Sequence, residues 1–103
     1  MNIGLTEARL SGYRDFFANE ENRGPIAIVA VVSEEMPGHF GLGIAVANER
    51  GYHPIPAGWA IFETMELAEA ESDRANAALG LDERQAFGIV ASTMGGRFYR
   101  EAA

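Results

Sequence analysis

No cysteine occurs in the 103 residues, and histidine occurs only twice. Disulfide frames, thiolate zinc sites, thiol nucleophiles and thiol redox switches are therefore excluded, and two histidines alone cannot fill a four-ligand structural metal site. Lysine is absent too, so all 8 basic residues are arginine, against 15 acidic ones, for a formal charge of −7. The all-arginine usage, beside abundant alanine and glycine, reads as coding bias. The charge itself has a physical consequence: it repels phosphate backbones and anionic membranes. Neither direct nucleic-acid binding nor membrane association is expected, whereas a basic protein partner is. Uncharged stretches fall well short of the ~20 residues that span a bilayer. The segment Met1-Asn2-Ile3-Gly4-Leu5-Thr6-Glu7 has no basic or long apolar leader pattern, which points to a cytoplasmic protein.

What is present suits one small domain over residues 1–103, since 48% of the residues are hydrophobic and no linker, repeat or low-complexity stretch divides them. Leu10, Tyr13, Phe16 and Phe17 recur at helical spacing behind Thr6, a suitable N-cap, and predict a helix over 6–19. Residues 26–32 form a continuous β-branched run bounded by Gly-Pro and Pro-Gly, the pattern of a strand covered on both faces. Over 39–47 the alternation is strict, with Phe40, Leu42, Ile44 and Val46 on one face and Gly41, Gly43, Ala45 and Ala47 on the other. That nearly bare face suits close approach of a helix, or of a flat ligand. Residues 48–51 read as a hairpin turn, Pro54 and Pro56 confine the next segment to an edge, and 59–62 is expected to be the third strand.

Thr64 caps a second helix ending at Leu79, with Gly80 as a left-handed stop. Its inner stripe of Met65, Ala68, Ser72, Ala75 and Leu79 is small enough to lie on the bare strand face. Asp82 and Gln85 make a capping box for a third helix, with Ala86, Phe87, Val90, Thr93 and Met94 on one face and Gly95-Gly96 as its end. Gly88 and the β-branched residues leave a strand over 87–93 as the competing reading. The fold class is thus α+β, a small two-layer domain of order α-β-β-β-α-α whose three-stranded antiparallel sheet is packed by helices. Its expected core includes Phe16, Ile28, Val29, Ile44, Val46, Ile61, Leu79 and Val90.

The acidic residues cluster. Glu63, Glu66, Glu69, Glu71 and Asp73 precede the first compensating base, Arg74, and Glu66, Glu69 and Asp73 share one exposed sector of the second helix. A solvated face that keeps the chain soluble accounts for this, as does a docking surface for a basic partner formed by Glu63, Glu66, Glu69 and Asp73. The principal functional expectation is a small non-catalytic binding module, an adaptor or inhibitor docking on a basic surface such as that of a nucleic-acid-handling protein. The alternative is a small enzyme or ligand binder whose pocket floor is the Gly41/Gly43 face, surrounded by His39, Tyr52, His53 and Trp59. No catalytic residue, metal ligand set or cofactor is assigned. His39, His53 and Glu49 have the residue types of a metal triad without its spacing. The glycines at 41 and 43 lack the third glycine and following helix of a dinucleotide fingerprint. The 59–62 edge is open to pairing with a second copy, so a homodimer is a further expectation.

Overall fold

The long β-branched run and the alternating segment behind it pair as a hairpin. The computed structural model describes residues 6–19, 24–47 and 49–94, with α1 (Glu7–Asn19), β1 (Ile26–Val32), β2 (Phe40–Val46), β3 (His53–Pro54), α2 (Met65–Ala78) and α3 (Glu83–Met94) in that order. β1 and β2 are antiparallel, with Ile28 opposite Ile44 and Val29 opposite Gly43, and the sheet order is β1-β2-β3. The result is the α+β class, element order and three-stranded antiparallel sheet that the sequence predicts, but with helices on both sheet faces rather than in a two-layer stack.

Strand alternation then splits the core in two. Ile26, Ile28 and Ala30 join Leu42, Ile44 and Val46 on one face, under Leu10 and Phe17 of α1 and Ala68 and Ala75 of α2. Ala27, Val29, Val31 and Ala45 form the other, under Val90, Ala86 and Ile89 of α3. The bare face of β2 is thus covered by α3 at Ala45 and by the Tyr52 ring at Gly43, not by α2. The small stripe of α2 lies on the bulky face, where short side chains let its backbone approach the large strand residues.

Other expectations change. Residues 59–62 are not a strand: the Pro56 carbonyl accepts from Trp59 N–H at 2.9 Å and Ala60 N–H at 3.3 Å, and this turn shortens the chain so that only Phe62 reaches β2. Phe62 and Phe40 exchange two backbone hydrogen bonds of 2.8 Å. The third strand is instead His53–Pro54, where Pro54 opposes Gly43 at the sheet edge. The missing proline N–H is harmless there, because it would point away from β2. A strand edge at 59–62 for self-pairing is therefore not formed. Phe16, expected in the core, is 56% exposed. At 100° per residue it lies about 120° from Leu10, on the rim of the stripe. Ile61 and Leu79 are half-buried, while Ile55 and Ala60 enter the core instead.

The helix ends follow their sequence signals. Thr64 Oγ1 accepts from Leu67 N–H at 3.2 Å. Gly80 has φ +86°, and Leu81 N–H to Asn76 O and Gly80 N–H to Ala77 O, both 2.9 Å, complete a Schellman close. In the capping box, Gln85 N–H donates to Asp82 Oδ1 at 2.8 Å and Asp82 N–H to Gln85 Oε1 at 2.9 Å. α3 is helical through 87–93, so the strand reading fails there. The expected stop at Gly95-Gly96 lies outside the described residues. No helix among the described residues is long and apolar enough to cross a membrane.

Candidate functional site

The turn between α2 and α3 carries the chain from one sheet face to the other around the free edge of β1. Between the two helices it leaves a groove of about 620 Å³. Ile28, Val29 and Ala30 form its floor, Leu81, Ala86, Phe87 and Val90 its apolar wall, and Glu69, Asp73, Asp82 and Glu83 its acidic rim. None of its lining residues is basic. Glu69 and Asp73 face it because they lie at i and i+4 on α2, one strip away from the buried Ala68, Ser72 and Ala75. Asp82 and Glu83 face it because the capping box fixes the start of α3 beside the α2 C-terminus.

One buried polar side chain closes the groove at its inner end. Asn76 is 6% exposed, and its carboxamide imitates a neighbouring strand. Its Oδ1 accepts from Ile28 N–H at 2.7 Å and its Nδ2 donates to Ile28 O at 2.9 Å. The sequence reading missed Asn76, although an amide beside Ala75 and one turn after Ser72, on the inner side of α2, was a usable signal. The other buried polar groups are satisfied within their helices, with Ser72 Oγ donating to Glu69 O at 2.9 Å and Thr93 Oγ1 to Val90 O at 2.8 Å.

The four carboxylates expected to bind a partner are divided by the structure. Glu69 and Asp73 reach the groove, whereas Glu63 and Glu66 are exposed around the α2 N-terminus and do not line it. Asp82, Glu83 and Phe87 join the site from α3, an association that sequence spacing alone could not supply. Glu71 is engaged instead with the Arg74 guanidinium, whose Nε donates at 3.0 and 3.1 Å to its two oxygens. That pairing holds the Arg74 pKa above its usual value.

The residues expected around a Gly41/Gly43 pocket are dispersed. The Tyr52 ring lies directly on Gly43, so that a Cβ there would press on Cδ1 and come within 3.0 Å of Cγ. A Cβ on Gly41 would meet Ala60 O at 3.6 Å. Burial, with Glu34 nearby, raises the Tyr52 phenol above its ordinary pKa. His53 turns to the other sheet face, where its ring stacks 4.9 Å from Phe17 and Nε2 meets Glu49 Oε1 at 3.0 Å. Trp59 carries the Arg9 guanidinium 3.7 Å above its ring, with Tyr13 at 6.4 Å. Burial raises the Tyr13 phenol, against the opposing pull of Arg9. His39 stays in its own loop, Nδ1 3.4 Å from Pro37 O. No group of three metal-ligating side chains occurs among the described residues. No family model, curated protein or solved structure matches the chain.

Proposed function

We propose that this domain is a small non-catalytic binding module that docks on a basic protein surface through the α2–α3 groove. The observation that carries this reading is the juxtaposition, in one groove, of an apolar floor with four carboxylates and no base. Apolar burial supplies contact energy, and the carboxylates select arginine- or lysine-bearing partners and speed their approach. A net charge of −7 extends that attraction beyond the groove. Surfaces that handle nucleic acid are rich in arginine and lysine, so an adaptor or inhibitor acting on such a protein fits the charge pattern. Glu63 and Glu66 contribute to the long-range field and Glu69 and Asp73 to the contact itself.

The test is the association rate of a blocked arginine-rich peptide, followed by stopped-flow fluorescence across a salt series. Reversing Glu69 and Asp73 to arginine slows association sharply and flattens its salt dependence. Reversing Glu63 and Glu66, an equal change of net charge, does much less. Equal effects from the two pairs would assign the binding to net charge and remove the groove from it.

A further inference from the structure

The floor of the groove is an open strand edge, and its backbone geometry specifies a shape of ligand. Ile28 turns its N–H and C=O away from β2, since both are held by Asn76. Strand alternation gives Ala30 and Val32 the same outward direction, and in the register with β2 they oppose Leu42 and Phe40. Those two residues likewise turn away from β1: Leu42 O accepts from Ile55 N–H, and Phe40 bonds to Phe62. The N–H and C=O of Ala30 and Val32 thus form no bond with β2. Ala30 is only 7% exposed and lines the groove, and Val32, at 60%, continues the edge into solvent. A buried donor and acceptor without a partner are costly, and an edge strand is a template for another strand.

Resting on the groove as the docking site, we propose that its occupant is an extended basic peptide segment of the partner. This segment adds as a fourth strand along Ala30 and Val32 and stops at Asn76. Alternate side chains of a strand placed there point to opposite sheet faces, toward Glu69 and Asp73 on the α2 side and toward Asp82, Glu83 and Phe87 on the α3 side. Arginine at neighbouring positions is therefore accepted on both sides. The strand backbone supplies the hydrogen bonds, and the side chains supply charge selection.

The probe is a blocked octapeptide of paired valines and paired arginines, Val-Val-Arg-Arg repeated, which sets arginine on both faces of a strand, titrated into the full chain by NMR with amide exchange. Binding slows exchange of the Ala30 and Val32 amides and leaves Ile28, already bonded to Asn76, unchanged. Ala30→Pro removes an N–H that points away from β2, and so does Val32→Pro at the exposed strand end, which serves if the buried substitution unfolds the chain. Each weakens the peptide by about tenfold or more, as loss of one or two hydrogen bonds to a desolvated edge implies. Peptide binding that is lost on reversing Glu69 and Asp73, yet leaves the Ala30 and Val32 amides and both proline variants unaffected, would overturn strand addition while keeping the acidic groove. No binding of the peptide to the wild-type chain would overturn both.

Discussion

At the residue scale, two positions decide how the sheet is finished. Gly43 is required because the Tyr52 ring occupies the space of its missing side chain. Gly43→Ala is expected to cost about 1 to 3 kcal/mol through overpacking. In a Tyr52→Ala background the same change should be nearly neutral, so a double-mutant cycle by urea unfolding checks the contact itself. Asn76 holds both backbone groups of Ile28, and Asn76→Ala is expected to cost about 2 to 4 kcal/mol by leaving a buried donor and acceptor unpaired. Asn76→Asp adds a sign. Its carboxylate would repel Ile28 O and be poorly solvated, so its folded pKa rises above the unfolded value of about 3.9. The folded state then binds more protons, and stability falls as pH rises from the unfolded toward the folded value. Chemical denaturation of this variant at pH 4 and pH 7 should show the larger deficit at pH 7.

At the scale of elements, the α2–α3 turn sets the site. Gly80 lies at φ +86°, where a Cβ is strained whatever the surrounding space. Gly80→Ala should therefore destabilise by about 1 to 2 kcal/mol, measured as a lowered Tm. It should also weaken peptide binding more than a surface substitution of equal thermal cost, because the turn positions Asp82 and Glu83 relative to Glu69 and Asp73. The caps of α2 and α3 were legible because capping depends on residues three positions apart, all within one sequence window. β3 was not, since the Pro56 turn and the Phe40–Phe62 bridge depend on where β2 already lies.

For the whole molecule, the two raised tyrosines predict the alkaline limit. Burial keeps Tyr13 and Tyr52 neutral in the folded state above their ordinary pKa of 10.0. The unfolded chain releases those protons first, so their contribution to stability is present below pH 10 and is lost as pH rises from there through the folded values. Tyr52→Phe should flatten the fall in Tm between pH 10 and pH 11. The same substitution keeps the ring, and with it the contact on Gly43.

Sequence alone determined the class of the fold, the limits of β1 and the acidic face of α2. Each follows from residue type repeated at a local period: β-branched runs, strand alternation, capping pairs and charges on one helical strip. Half of the candidate site was legible in this way, as Glu69 and Asp73. Tertiary structure decided the remainder. It set α3 rather than α2 on the bare strand face and brought Asp82, Glu83 and Phe87 across from α3. It also moved Tyr52 onto Gly43 and engaged Asn76 with an Ile28 that lies 48 residues away in sequence. The physical reason is that a period tells which face of an element is apolar, whereas which two faces meet depends on how the connecting turns direct the chain. Here the turn after Leu79 passes around the edge of β1, and the groove exists because two helices reach that edge from opposite sides.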